Sequence, residues 1–341
     1  MTFARTALIG GLATLVAPMA MAQDAATSDL PIAVQMYTLR DHGTLDEQLA
    51  AVQAAGVTAV ETVGMQDSTA EDLSAKLQEY GIEAISTHAQ LADLRADAQA
   101  VIDFNKAIGN DVITVPYLAE EDRPADAAGW TALGEELAAL SETLQAADMT
   151  LAYHNHDFEM VEFDGRTALE IMMEAAGEDV MAELDLAWVA RGGLDPVEYL
   201  GRFDDRVFAI HAKDNAPEGE AEDERGFKAL GKGTLDWAAI LPAAEEAGAQ
   251  WYIIEHDQPL DAAEVVMTGA TFLTENLPDR LTGAATSSRP LFPCRDAGWR
   301  CGARRGGGRT RPDHIGRTQM LRKLTSASWS CSWIGAQSCA S

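Results

Sequence analysis

Residues Met181–Asp214 read MAELDLAWVARGGLDPVEYLGRFDDRVFAIHAKD, and the rest of the chain repeats their pattern. This stretch holds two short apolar runs that end in candidate metal ligands, Asp185 and His211, with a helix-length segment opened by Asp195-Pro196 between them. An apolar strand, a crossover and a second apolar strand form a parallel βαβ unit, in which functional groups collect at the carboxyl ends of the strands. The stretch therefore predicts two parallel strands whose ends carry polar, chemically useful side chains.

The same alternation repeats along the chain, where apolar runs of four or five residues alternate with Ala-, Leu- and Glu-rich helical stretches. The predicted strands are Ile32–Met36, Ala59–Thr62, Glu83–Ser86, Val112–Val115, Thr150–His154, Met181–Asp185, Val207–His211 and Trp251–Glu255. The predicted helices are Leu45–Ala55, Ala70–Tyr80, Leu91–Ile108, Trp130–Ala147, Ala168–Ala176, Pro196–Leu200, Trp237–Ala247 and Ala262–Glu275. Eight such pairs predict a single-domain α/β fold, a closed (β/α)8 TIM barrel over residues 31–277. No Gly-x-Gly-x-x-Gly motif follows the first strand, which disfavours an open dinucleotide-binding sheet.

The N-terminus is typical of an export signal. Arg5 supplies a positive charge, Ala7–Ala20 is mostly apolar, and Ala20-Met21-Ala22 forms an Ala-x-Ala cleavage site. We expect a signal peptide over residues 1–22, a polar leader over 23–30, and a periplasmic or secreted mature protein. Since about 14 apolar residues are too few to span a bilayer, no stable membrane insertion is expected.

The last part of the chain differs in composition from the rest. Residues 278–341 lack helical or strand periodicity, hold all four cysteines, and include the run Arg304–Arg309. This composition predicts a disordered basic tail. The tail is either an arm that binds acidic polymer or sequence unrelated to the barrel.

The charge of the remaining chain excludes one class of partner. Residues 281–341 carry ten Lys/Arg and two acidic residues, so the first 280 residues hold 15 basic and 52 acidic residues, a formal charge of −37. Such a surface repels phosphate backbones, and no nucleic acid partner is expected.

Ionisable side chains collect where predicted strands five to eight end. The fifth strand leads through Tyr153–Glu159 (Tyr-His-Asn-His-Asp-Phe-Glu), and the next three lead to Asp185, to His211 with Lys213, and to Glu255. If the barrel closes, these groups converge, and their oxygen and nitrogen donors suit manganese, magnesium, zinc or cobalt. Such an ion could bind vicinal sugar oxygens while a carboxylate moves a proton.

Taken together, several motifs resemble the sugar phosphate isomerase/epimerase superfamily, the xylose isomerase-like TIM barrels. They are Glu-Leu-Asp-Leu-Ala-Trp (183–188), Asp195-Pro196, His-Ala-Lys-Asp (211–214), Leu-Gly-Lys-Gly-Thr-Leu-Asp-Trp (230–237) and Ile254-Glu255. The resemblance covers about Pro31 to Asn276. It implies a divalent metal held by ligands from strands five to eight, with Asp185, His211 and Glu255 at three of the four ligand positions.

The fourth ligand position departs from the family pattern. Many members carry Glu directly before Asn at the end of strand five, whereas this chain has His154 before Asn155, followed by His156 and Glu159. Either His154 is the ligand, or Glu159 takes that place and the histidines face substrate. We favour Glu159, because a second carboxylate neutralises a dication better and could serve as a base beside Glu255. With His154 instead, a two-base epimerase mechanism loses one base, while elimination, dehydration or isomerisation needs only one.

Further pocket candidates follow strands one to three, namely Gln35, Tyr37, Glu61 and His88, which could hold substrate hydroxyls or pack within the barrel mouth. Trp188 could stack on a sugar face or lie in the core. Lys213, two residues after a proposed ligand, could neutralise an anionic intermediate.

The resulting hypothesis is a metal-dependent isomerase or epimerase that acts on a non-phosphorylated or oxidised (keto) sugar by enediolate-type proton transfer. Export argues against a phosphorylated substrate, because sugar phosphates are cytoplasmic. Two alternatives stay open: a metal-dependent lyase or hydrolase of keto-sugar glycosides, and a non-catalytic periplasmic sugar-binding protein. The expected partner is a small-molecule sugar, and a homo-oligomer is compatible with the sequence.

Overall fold

The computed structural model describes residues 30–66, 68–203 and 205–278. The predicted signal peptide, all but the last residue of the leader and all but the first residue of the tail lie outside the described residues. None of the helices described for this chain combines the length and apolar composition that a bilayer-spanning helix requires.

Eight parallel strands close into one barrel, as the alternation of strands and helices predicts. The strands are β1 Ile32–Gln35, β2 Ala59–Val63, β3 Glu83–His88, β4 Val112–Val115, β5 Thr150–His154, β6 Val180–Asp185, β7 Val207–Ala212 and β8 Trp251–Ile254. Closure is made by β1, in which Val34 lies opposite Ile254 of β8 and Val60 of β2. The predicted strands differ from these by one or two residues at their ends, the usual scatter for element boundaries.

Nine α-helices accompany the barrel in the described residues. They are α1 Leu45–Ala54, α2 Ala70–Tyr80, α3 Leu91–Ile108, α4 Ala127–Gln145, α5 Ala168–Ala176, α6 Leu186–Arg191, α7 Pro196–Leu200, α8 Trp237–Glu246 and α9 Ala262–Asn276. Helix α4 begins three residues before its predicted start, because the Asp126 side chain accepts a hydrogen bond from the Gly129 N–H at 2.8 Å. Helix α6 was not predicted, since its six residues are too few to show a period; it begins directly after β6, where Asp185 accepts from the Trp188 N–H at 2.9 Å.

The barrel interior is built in two layers by the two-residue alternation of strand side chains. The lower layer is apolar and contains Ala33, Ala59, Val112, Ala152, Met181, Ala209 and Ile253. Two residues further along each strand, on the same face, the chain carries Gln35, Glu61, Thr114, His154, Glu183, His211 and Glu255, all of them buried. The second layer therefore places a belt of polar groups at the carboxyl-terminal half of the barrel.

Two short antiparallel pairs lie outside the barrel. One joins Glu162–Phe163 to Arg166–Thr167 after β5, and the other joins Asp214–Asn215 to Phe227–Lys228 after β7. Both follow strands whose ends carry the predicted site residues, so they shape the loops around that end of the barrel.

Candidate metal centre and active site

Asp185, His211 and Glu255 meet at the carboxyl end of the barrel. Their ligand atoms all lie within 4.8 Å of one another, and all three residues are buried. His211 Nδ1 lies 3.1 Å from Glu255 Oε2 and 4.0 Å from Asp185 Oδ2. Strands β6, β7 and the end of β8 are neighbours in the barrel, which is why residues far apart in the chain meet here. We call these three residues the outer group.

His154 lies beside the outer group at the end of β5. Its Nε2 is 3.9 Å from Asp185 Oδ2, and only 2% of the residue is exposed. Among the described residues its Nδ1 has no hydrogen-bond partner. Burial holds the pKa of His154 well below its ordinary value, so the ring is neutral, as a metal-binding imidazole must be.

Glu159, which we favoured as the fourth ligand, is not part of this group of ligand atoms in the described residues, and other contacts hold it. The residue sits in a short turn, Phe158–Met160, and its carboxylate accepts hydrogen bonds from the Tyr153 hydroxyl at 2.7 Å and the His156 N–H at 2.8 Å. Tyr153 and His154 are adjacent in a strand, so they point to opposite faces, and Glu159 follows Tyr153 away from the interior. Burial raises the pKa of Glu159 to about 7.

Lys213 supplies a buried positive charge to the outer group. Its Nζ lies 2.8 Å from Asp185 Oδ2 and 2.7 Å from Glu255 Oε2, and it also contacts Asp257. Burial would lower the pKa of Lys213, but the three carboxylates raise it above its ordinary value, so the side chain is protonated. Asp257 is a member of this cluster that sequence reasoning missed, although it lies two residues after Glu255 in the loop that follows β8.

A second set of ligand atoms, which we call the inner group, lies deeper in the barrel. It consists of His88, His154, Glu183 and His211, whose ligand atoms also lie within 4.8 Å of one another. Glu183 was not predicted as a site residue, yet its Oε1 lies 2.7 Å from His88 Nε2 and 3.0 Å from His211 Nε2. The signal was available, because Glu183 precedes Asp185 by two residues and so faces the same way.

The pocket candidates Gln35 and Glu61 are fully buried below the mouth. Gln35 Nε2 donates to Glu61 Oε1 at 2.6 Å, and Glu61 also accepts from the Ser86 hydroxyl. Both side chains therefore form hydrogen bonds around the inner group, and neither has a polar group exposed at the opening of the barrel. Tyr37, by contrast, is 39% exposed.

His88 is fixed between the same two carboxylates, with Nε2 3.0 Å from Glu61 Oε1 and 2.7 Å from Glu183 Oε1. Burial alone would lower the pKa of His88, yet the neighbouring carboxylates raise it to about 9. The ring also stacks on His211 at a centroid distance of 5.4 Å. His88 therefore belongs to the interior network, with 7% of its surface exposed.

His156 and Trp188 form part of an aromatic wall at the mouth. Their ring centroids are 5.2 Å apart, and Trp188 packs edge-on against Phe227 at 5.1 Å. Only 6% of Trp188 is exposed, so packing accounts for most of its surface. Burial lowers the pKa of His156 to about 3, which leaves this ring neutral.

Asp214 explains why two separated motifs occur together in the sequence. Its carboxylate accepts hydrogen bonds from the N–H groups of Gly231 at 3.2 Å, Gly233 at 3.1 Å and Leu235 at 3.0 Å, and from Trp237 Nε1 at 3.2 Å. A Cβ on Gly233 would lie 2.3 Å from the Asn215 carbonyl oxygen, so only glycine fits there. This part of the motif holds the loop after β7 in place.

The donors of the outer group, with His154, suit a divalent cation. They combine two carboxylates with two imidazoles, a mixed set that binds zinc, manganese, cobalt or magnesium. Within the described part of the chain, Lys213 Nζ, 2.8 Å away, is the cation that Asp185 Oδ2 contacts, and His154 Nδ1 is buried without a hydrogen bond. A buried carboxylate oxygen and an adjacent neutral imidazole are groups that an ion would satisfy.

A parallel eight-stranded barrel with such a cluster at its carboxyl-terminal end defines a class of TIM-barrel proteins. The chain belongs to the xylose isomerase-like TIM barrel family, whose model matches residues 49–276.

The chain is also similar to three individual proteins. It is 27% identical over 257 residues to inosose dehydratase of Geobacillus kaustophilus (strain HTA426), covering 64% of this chain and 82% of that protein. A sugar phosphate isomerase/epimerase from Parabacteroides distasonis ATCC 8503 superposes with a TM-score of 0.63 at 20% identity, covering 76% of this chain and 98% of that one. The IolI protein with a bound zinc atom superposes with a TM-score of 0.59 at 18% identity, covering 73% of this chain and 98% of that one. At these identities the two structures show a shared fold.

Proposed function

We propose that this protein is a metal-dependent enzyme that removes a proton next to the carbonyl group of a non-phosphorylated keto sugar. The observation that carries the proposal is the meeting of Asp185, His211 and Glu255, with His154 beside them, in a buried cluster at the catalytic end of a TIM barrel. The similarity to an inosose dehydratase supports a cyclic or open-chain keto sugar as the substrate class.

In this proposal the ion is held by His154, Asp185, His211 and Glu255. A bound divalent ion acts as a Lewis acid that polarises a carbonyl or hydroxyl oxygen of the sugar. The donor set is compatible with manganese, magnesium, zinc and cobalt, so the choice of metal is left to measurement.

Glu255 is the proposed general base, and Lys213 the proposed stabiliser of negative charge. Glu255 is 6% exposed whereas Asp185 is fully buried, so Glu255 is the carboxylate of the outer group nearer the opening. Lys213 contacts both carboxylates and stays protonated, so it can compensate charge that develops on the substrate oxygen. His156 and Trp188 are proposed to bound the substrate space at the mouth.

The position of His154 bears on the reaction type. The outer group has two carboxylates, Asp185 and Glu255, and strand β5 adds an imidazole where a further carboxylate would serve as a second base. A single base suits isomerisation or elimination better than epimerisation by two bases. The second candidate function is therefore elimination, either dehydration of a keto sugar or cleavage of a keto-sugar glycoside.

The test is turnover of keto sugars and keto-glycosides by the protein after chelation and after addition of each metal in turn. Metal-restored turnover is expected, and Asp185→Asn should abolish it. Product analysis in deuterated water separates the candidates: isomerisation labels an intact sugar, whereas elimination releases water or an aglycone. Undiminished sugar binding by Asp185→Asn, with no turnover by the wild-type protein under any metal, would instead indicate a non-catalytic sugar-binding protein.

The choice of a non-phosphorylated sugar rests partly on the export signal, which is a proposal in its own right. Fractionation of cells that express the full chain, with N-terminal sequencing of the mature protein, tests it. We expect a periplasmic or secreted protein that begins near Gln23. Retention of residues 1–22 in the cytoplasm would remove the argument against phosphorylated substrates.

A further inference from the structure

The two ring nitrogens of His211 face different surroundings. Nδ1 points to the outer group, 3.1 Å from Glu255 Oε2 and 4.0 Å from Asp185 Oδ2. Nε2 points into the barrel, 2.9 Å from Glu61 Oε1 and 3.0 Å from Glu183 Oε1. The His211 imidazole thus connects the outer group to Glu61 and Glu183, two carboxylates that are not members of that group.

The two inner carboxylates are themselves held in place. Glu61 accepts from Gln35 Nε2 at 2.6 Å and from the Ser86 hydroxyl. Glu183 accepts from the Thr114 hydroxyl at 3.1 Å. All of these residues are fully buried, so their side chains have little freedom to turn away from His211.

His88 completes the arrangement from the other side. Its Nε2 lies 3.0 Å from Glu61 Oε1 and 2.7 Å from Glu183 Oε1, so it supplies positive charge or a hydrogen bond to both carboxylates at once. The carboxylates are therefore compensated without an ion between them. Both carboxylates can therefore accept a hydrogen bond from the Nε2–H of His211.

A neutral imidazole carries a proton on one ring nitrogen and a lone pair on the other. The nitrogen that donates a hydrogen bond keeps the proton, so the second nitrogen is the one that can bind a metal. We propose that Glu61 and Glu183 are positioning residues that hold the His211 proton on Nε2 and so aim the Nδ1 lone pair at the ion of the outer group. Carboxylates in this role fix the ring orientation and make the imidazole a stronger ligand. The inference rests on the metal-dependent function proposed above and adds to it the residues that set the metal affinity.

The first test is the affinity of the protein for Co²⁺, measured by titration in competition with a chromophoric chelator. We expect Glu61→Gln and Glu183→Gln each to weaken binding by about 10–100-fold, the usual cost of losing a partner behind a metal-binding histidine. Glu159→Gln is the matched control, because Glu159 is equally buried but contacts neither group, and its Co²⁺ affinity should equal that of the wild type. Equal affinity in all three variants would overturn the proposal.

Buried substitutions can prevent folding, so two milder variants accompany them. Ser86→Ala and Thr114→Val keep both carboxylates but remove a hydrogen bond that holds each one. We expect a smaller loss of Co²⁺ affinity in the same direction, with circular dichroism confirming that both variants fold. Unchanged affinity in folded Ser86→Ala and Thr114→Val would contradict the positioning role.

The second test needs no substitution. Two-bond ¹H–¹⁵N correlation spectra of zinc-loaded protein with labelled histidine report which nitrogen of His211 carries the proton. The proposal predicts Nε2–H with Nδ1 bound to zinc, and one ion per chain. Zinc on Nε2, or two ions per chain, would place an ion in the inner group and overturn the proposal while leaving a metal-dependent function intact. If the wild-type protein binds no ion, both the positioning role and the metal-dependent function are contradicted.

Discussion

The ammonium group of Lys213 lies 2.7 Å from a carboxylate oxygen of Glu255, with both residues buried. Asp185 and Asp257 contact the same ammonium, and Arg225 also pairs with Asp257 at 3.1 Å, so two cations face three acids. Lys213 is the buried partner that Asp185 and Glu255 share, so its removal should destabilise the cluster.

Lys213→Met is expected to lower the unfolding free energy of metal-free protein by about 3–5 kcal/mol, because it leaves buried carboxylates without a partner. Lys228→Met is the control, since Lys228 pairs with Glu224 near the surface and should cost about 1 kcal/mol or less. Urea denaturation of both variants in chelator measures the difference. Equal, small losses would show that Lys213 does not stabilise the cluster.

His154→Ala is expected to weaken Co²⁺ binding by more than about 100-fold, because a ligand contributes more than the groups behind it. Isothermal titration, compared directly with Glu159→Gln, measures this. The opposite order, with Glu159→Gln the weaker binder, would restore Glu159 as the fourth ligand and require the turn at Phe158–Met160 to reorganise.

Glu159 should also make stability depend on pH. Its pKa is raised by burial from 4.5 to about 7, so its contribution is fully present below pH 4.5 and is lost as pH rises through about 7. Relative to Glu159→Gln, the wild-type protein should therefore lose up to about 3 kcal/mol of unfolding free energy between pH 4.5 and pH 8. Denaturation curves at both pH values, with the exposed Glu162→Gln as control, check it; parallel curves for wild type and Glu159→Gln would refute it.

Asp214→Asn should destabilise the fold by about 1–3 kcal/mol, since an amide cannot accept all five hydrogen bonds that the carboxylate receives. Because Asp214 is assigned to the loop and not to the chemistry, kcat should fall less than tenfold in the folded variant. Thermal unfolding and steady-state kinetics measure the two effects. A loss of kcat comparable to that of Asp185→Asn, without loss of stability, would assign Asp214 to the reaction.

The barrel itself could be predicted from the sequence because each strand is a short apolar run followed by a helix with clear end signals. Thr44, for example, caps α1 through a reciprocal hydrogen-bond pair with Glu47, and that pattern is visible in the letters alone. Asp185, His211 and Glu255 could be located because the carboxyl ends of neighbouring parallel strands must meet.

Other parts of the site depended on details that linear order does not carry. His154 and Glu159 are five residues apart after the same strand, and only the turn at Phe158–Met160 decides which one faces inward. Predicting Glu183 as a site residue would have required applying the two-residue alternation of strand side chains to residues deeper in the barrel than the strand ends. Gln35 and Glu61 were candidates for holding substrate hydroxyls, yet both are fully buried and hydrogen-bond to each other.

The most direct test of the proposed metal site is anomalous scattering from a crystal of the protein grown with Mn²⁺ or Co²⁺, recorded at the absorption edge of that metal. We expect one peak per chain, about 2.0–2.3 Å from ligand atoms of His154, Asp185, His211 and Glu255. A peak that is ligated by Glu159, a peak between His88 and Glu183, or no peak at saturating metal would contradict it.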